Sequence, residues 1–234
     1  MTHTVHPYAH RLGVIRDWKS RWFAKSPAKY RENVMVDSAI RRFLRKRLRG
    51  SYVCSVEIER NEKSIRVIIK TSRPGLVIGR GGEGSQKLTK EIEKVIRTVP
   101  SGAPRSASGG KAERKAVRLD IEEVRSPESQ SPVVAYMVAE GLEKRQTFRR
   151  VLKQTVEKVM ANRDVQGVRI CIAGRLGGAE MSRTEEIKKG RVPLQTIRAD
   201  IDFAREVAYL PYGVIGVKVW IYRGDIFSDK KGTK

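Results

Sequence analysis

Apolar residues recur along this chain with two different periods, and the change from one to the other marks most of its elements. Ala39, Ile40, Phe43, Leu44 and Leu48 fall on one face of a helix placed within residues 34–49. Cys54, Val56 and Ile58 then alternate with Ser55, Glu57 and Glu59, the pattern of a half-buried strand. Asn61 to Lys63 turns the chain, and Ile65, Val67 and Ile69 form a second strand paired with the first. After Arg73, Pro74 and Gly75 comes a glycine-rich loop, then a helix over about 83–99 with Leu88, Ile92, Val95 and Ile96 on one face. Val117, Leu119 and Ile121 make a third strand.

Residues 101–115, rich in Ser, Gly, Ala and basic side chains, read as a flexible excursion before that strand, and 126–132 as a linker. The second half repeats the two periods. One helical stripe is Val133, Val134, Met137, Val138 and Leu142; the next is Phe148, Val151, Leu152, Thr155, Val156, Val159 and Met160. Four strands are expected to follow: Val168 to Ile172, a run near 191–194, Ile197 to Phe203, and Val217 to Ile221. Each alternates with polar or small residues, as in an antiparallel sheet covered on one face.

Charge changes the picture more than any other bulk property. The 234 residues hold 49 Lys and Arg against 26 Asp and Glu, a formal net charge of +23. Such an imbalance repels itself in a compact chain, and a polyanion relieves it, because bound phosphates release condensed counterions. No apolar run approaches the roughly 18 residues of a transmembrane helix, and the N-terminal segment lacks a signal-peptide core, so nucleic acid is favoured over a membrane. Cys54 and Cys171 lie far apart in strand-like runs and read as reduced structural thiols. His3, His6 and His10 have no cysteine or carboxylate neighbours to complete a metal site, and no histidine follows them. No metal, cofactor or catalytic pairing is expected.

The loop at 79–84 carries the sharpest chemistry. Gly79, Arg80, Gly81 and Gly82 form a GxxG, and glycines let a loop backbone approach another backbone closely. KH domains clamp about four nucleotides in this way. The same letters satisfy the dinucleotide fingerprint through Gly79, Gly81 and Gly84, but Arg73-Pro74-Gly75 interrupts the strand that fingerprint needs. Arg41 and Arg45, with Arg42, Lys46 and Arg49, cover the polar side of the preceding helix and suit phosphate. Arg149, Arg150 and Lys153 lie opposite the apolar stripe of the second C-terminal helix, three cations within about one turn. Arg175, Arg183 and Arg191, with Lys188 and Lys189, surround a glycine-rich connection at 174–180 and suggest a second rim for phosphates. Asp200 and Asp202 could imitate a metal pair, but Arg198 and Arg205 nearby favour a neutralised solvent face.

The order helix, strand, strand, short helix, GxxG, helix, strand resembles a type II KH domain over about 35–125. Val5-His6-Pro7 with Arg11-Leu12-Gly13, Ser64 to Val67, Arg73 to Gly75, Phe148 to Arg150, Gly174 to Glu180, Gly190 to Leu194, Ile197 to Asp202 and Gly213 to Trp220 together resemble the bacterial-type ribosomal protein family three of the small subunit. That resemblance implies an α+β chain. It would comprise a basic leader (1–33), a type II KH domain (34–125), the linker, and a C-terminal domain of two helices on a four-stranded antiparallel sheet (133–227). A basic tail (228–234) would follow. It further implies binding of ribosomal RNA, assembly in the head beside small-subunit proteins ten and fourteen, and contact with messenger RNA where it enters the subunit. Arg149, Arg150 and Lys153 match the family's messenger-facing patch. The implied location is the cytoplasm, in the ribosome, with an organellar ribosome left open. Competing readings are a free-standing KH regulator of single-stranded RNA and a nuclease built on Asp200 and Asp202.

Overall fold

The computed structural model describes residues 5–61, 64–99 and 116–227, which form two units. The excursion at 101–115, the tail at 228–234, the tip of the turn at 62–63 and His3 lie outside the described residues.

The first unit runs from Trp18 to Arg125. A two-residue strand β1 (Ser20–Arg21) precedes α2 (Pro27–Arg47); α1 (Pro7–His10) belongs to the other unit. α2 starts seven residues before the expected 34. Ser26 Oγ caps it by accepting from Lys29 N, and Pro27 at the first position has its φ preset for a helix. Its early turns escape apolar periodicity because they are held by polar groups. Buried Asp37 accepts from Ser20 Oγ, Trp22 Nε1 and Arg60, and Asn33 also accepts from Arg60. β2 (Val53–Arg60) and β3 (Ser64–Thr71) pair antiparallel; α3 (Pro74–Ile78) and α4 (Glu83–Thr98) then cross over to β4 (Ala116–Glu123), parallel to β3. The sheet order is β1-β2-β3-β4. Ile58, Ile65, Val67 and Ile69 pack under Ile40, Leu44, Leu88 and Ile92. This is the KH arrangement.

The second unit joins residues 126–227 to residues 5–17. α5 (Ser131–Glu143) and α6 (Phe148–Met160) cover one face of a fully antiparallel sheet. It contains β5 (Gly167–Gly174), β6 (Arg183–Gly190), β7 (Ala199–Leu210) and β8 (Gly213–Asp225), in the order β6-β5-β8-β7. Val138, Leu142, Leu152 and Val156 meet Ile170, Ile172, Val217 and Val219 there.

The strand expected near 191–194 is instead β6, eight residues earlier. β6 is an edge strand whose apolar anchor is Ile187, packed at the margin of the core, so no alternation of apolar residues announces it. Val192 and Leu194 leave the ladder and fill a second, smaller core with Ala199, Ile201, Phe203, Trp220 and Tyr222 on the opposite face. The leader is also not a unit of its own. Residues 5–17, with α1 (Pro7–His10), belong to this second unit, and the chain from Trp18 onward to the first.

Candidate nucleic-acid interface

The GxxG loop is built by backbone angles that side chains resist. Gly79 ends α3 at φ 71°, Gly81 sits at φ 59°, and Gly82 caps α4 at φ 80°. Gly84 permits the tight turn for another reason: a Cβ there would lie 2.7 Å from the Val77 carbonyl oxygen and 2.8 Å from that of Ile78. The result brings a bare backbone turn to the N-terminal end of a 16-residue helix, where the peptide dipoles favour an anion. The Arg80 side chain is exposed at this turn.

On α2, Arg45 is exposed beside Arg42 and Lys46. Arg41 is a correction. Its guanidinium folds back on β1, donating to the Lys19 carbonyl at 3.0 Å and Ser20 Oγ at 2.7 Å, so it braces the sheet edge instead of facing solvent phosphate.

α6 presents the cleanest cationic face. Val151, Leu152, Thr155, Val156 and Val159 are buried, and this fixes the rotation of the helix. Arg149, Arg150 and Lys153 are therefore exposed on the far side, without a salt-bridge partner among the described residues. The Lys153–Glu157 pair that spacing allows is not formed. No carboxylate among the described residues pairs with these three charges, while guanidinium forks match phosphate geometry.

The rim around 174–180 divides. Arg175 donates through Nε to the Ala179 carbonyl, through Nη1 to that of Tyr212 and through Nη2 to that of Gly178. Its donors hold the loop shut, which corrects its assignment to RNA. Arg183, the first residue of β6, is half exposed and lies 5.4 Å from the Phe148 ring centre, with Arg149 at 5.6 Å from the same ring. Arg191, Lys188 and Lys189 are exposed. The Phe148 platform was missed in the sequence. Its only signal was the register: Arg183, Glu185 and Ile187 share the helix-covered side of an alternating strand.

Asp200 and Asp202 are held by other residues than Arg198 and Arg205. Asp200 pairs with Arg16 and Arg223; Asp202 accepts from Arg223 and from Ser131 N. Arg198 binds Asp225 instead. Both carboxylates are largely covered, so they form an internal brace where a solvent face was expected. Among the described residues no group of three His, Cys, Asp or Glu could hold a metal ion. His6 accepts from Tyr8 N and packs edge-on against Phe203. Cys54 and Cys171 are both half-buried, and burial raises the thiol pKa of Cys171 above its ordinary value. No helix among the described residues is long and apolar enough to cross a membrane.

One buried residue had no sequence signal. Arg11 is fully enclosed, donating to the carbonyls of Ala199 (2.6 Å), Thr196 (2.8 Å), Leu194 (3.0 Å) and Pro7 (3.1 Å). Desolvation lowers its pKa, which Asp200 partly offsets.

Comparison with known proteins agrees with this architecture. Residues 39–129 match the KH domain family, and residues 138–221 match the family described as ribosomal protein S3, C-terminal domain. The small ribosomal subunit protein uS3 of Caldicellulosiruptor bescii is 44% identical over 230 residues, covering 98% of this chain and 96% of that protein. The protein of the same name from Clostridium novyi is 41% identical over 231 residues, covering 99% and 96%. The one from a Synechococcus species is 39% identical over 231 residues, covering 99% and 88%.

Proposed function

The chain belongs to the uS3 family of small ribosomal subunit proteins, structural and without enzymatic activity, and from that premise we propose how its surfaces divide the work. The GxxG loop, with Arg80 and the exposed Arg45 of α2, grips ribosomal RNA through its backbone, Gly79, Gly81 and Gly82 making room for close approach. Arg149, Arg150 and Lys153 face messenger RNA where it enters the subunit, and Arg191 adds a phosphate contact along the β6 side. Small-subunit proteins ten and fourteen are the protein neighbours in the head. The free-standing regulator is disfavoured, because the likeness to ribosomal proteins runs through the C-terminal unit as well as the KH unit.

The observation that carries the messenger reading is the unneutralised trio on a helix whose opposite face is locked in the core. Surface substitutions of this kind change stability by less than ~0.5 kcal/mol, so function can be separated from folding. Small subunits are reconstituted with the full chain carrying Arg149→Ala, Arg150→Ala and Lys153→Ala. Translation is then timed on two messengers that differ only in a downstream hairpin. Normal incorporation with slowing confined to the hairpin messenger is the expected result. Equal slowing on both, or failed incorporation, makes the trio ordinary ribosomal RNA contacts.

A further inference from the structure

We propose that Arg183 is a fourth cation of the α6 messenger surface, and that Phe148 is the positioning residue joining it to Arg149. This rests on the messenger reading of α6 and extends it to a second element. The register of the sheet explains the meeting. Gly174 pairs with Arg183, Ile172 with Glu185 and Ile170 with Ile187, so Arg183 lies on the sheet face that α5 and α6 cover. At the end of that face stands Phe148, the first residue of α6, partly buried against the core. The guanidinium of Arg149 is centred 5.6 Å from the ring and that of Arg183 5.4 Å from it. The two cations are therefore no further apart than the sum of those distances, which suits neighbouring phosphates of one strand.

The way each arginine is held decides what it can still bind. A guanidinium resting on an aromatic ring is attracted to the ring's negative face while its N–H donors point outward in their own plane. Those donors remain available to a phosphate, and the ring removes part of the rotamer freedom that binding would otherwise have to freeze. Arg175 is the counter-example eight residues earlier in the same rim: its in-plane donors already meet three carbonyls. Arg183 has a carboxylate neighbour in Glu185, but at 4.0 Å and with both side chains near half exposure, a pair of that kind competes weakly with a phosphate.

The test uses the full chain in reconstituted small subunits, with the same pair of messengers. Arg183→Ala is expected to incorporate normally and to slow the hairpin messenger by about two- to fivefold, sparing the unstructured one. Phe148→Leu, which keeps apolar bulk and removes the ring, is expected to act in the same direction. Adding Arg183→Ala to it is expected to add less than the single change does alone, because the two act through one contact. If the Arg149/Arg150/Lys153 variant slows the hairpin messenger while Arg183→Ala matches the unaltered chain, the inference fails and the messenger reading stands. If the trio itself has no hairpin-specific effect, the reading beneath it fails first. Loss of incorporation with both Arg183→Ala and Arg183→Gln also overturns the inference, making Arg183 an assembly contact.

Discussion

The two four-stranded sheets treat their second faces in opposite ways. In the KH unit that face carries a ladder of ion pairs: Glu57 and Glu59 on β2 meet Lys70, Arg66 and Arg21, and Asp120 on β4 meets Arg66. In the C-terminal unit the second face carries Ile201, Phe203, Trp220 and Tyr222, and the leader closes over it with His6 and the buried Arg11. A positive charge thus has three fates in one chain. It is cancelled by carboxylates on a wet sheet, enclosed among carbonyls in a dry one, or left free on α6 and the GxxG loop. Net charge alone cannot tell these apart; only the partners can. The surface proposed for RNA consists of the cations left over after folding has used the others.

The strongest way to break this comparison is Arg11→Ala. The change leaves the carbonyls of Ala199, Thr196, Leu194 and Pro7 without their donor in a closed space, at about 1–3 kcal/mol for each buried group left unsatisfied. A loss on the order of 5 kcal/mol from the C-terminal unit is expected, read as faster hydrogen exchange in β7 and β8. Arg11→Lys should recover little, since an ammonium lacks the planar fork that reaches several carbonyls at once. A variant as stable as the parent would mean that the leader is a loose arm.

The KH unit offers the matching test at Asp37, a carboxylate that is buried like Arg11. Asp37→Ala leaves the Arg60 guanidinium, 5% exposed in its side chain, without its partner. Breaking a buried pair by removing one member costs about 3 kcal/mol or more, and the loss should appear in thermal melting. Asp37→Asn, which keeps an acceptor for Ser20 and Trp22, should fall between the two.

How far the sequence disclosed this fold follows from where each element's stabilising contacts lie. β3, β5 and β8 alternate because each has a fully buried side, β2 because Ile58 is buried with Val56 packed partly beside it, and the two C-terminal helices show stripes because one face of each is buried. β6 and the first turns of α2 lack such stripes: Ile187 anchors one, and Asn33 with Asp37 anchor the other. The candidate surface was readable where helical phase alone decides exposure, as at Arg149, Arg150 and Lys153. It was not readable where an arginine meets a backbone carbonyl, as at Arg41, Arg175 and Arg11. Any residue offers a carbonyl, so no residue type marks the partner. The Arg11 contacts also span more than 180 positions, beyond the reach of local pattern.

A smaller effect separates two glycines of the loop. Gly84→Ala places a methyl carbon inside contact distance of two carbonyl oxygens, and overpacking of that kind costs about 1–3 kcal/mol. Gly81→Asp meets nothing within 4 Å of its Cβ, so its cost is the left-handed angle alone, about 1 kcal/mol, which Asp tolerates better than most residues. Combined with Arg80→Asp, it should weaken RNA binding far more than it lowers melting temperature. The reverse ranking would make the loop a folding element and not a grip.

The smallest effect belongs to the wet ladder. Lys70 Nζ lies 2.8 Å from Glu57, and that hydrogen bond raises the Lys70 pKa, partly offset by desolvation. A raised lysine pKa means stability that is fully present below the unfolded value, near 10.4, and lost as pH climbs through the folded one. Lys70→Met should therefore cost at most about 0.5 kcal/mol, since the side chain remains more than a third exposed and water screens the pair. The difference from the parent should stay constant between about pH 6 and pH 9 and shrink only in stronger alkali. Chemical denaturation across that range provides the measurement. A cost near that of Asp37→Ala would show that the ladder is as dry as the core, and the contrast between the two second faces would disappear.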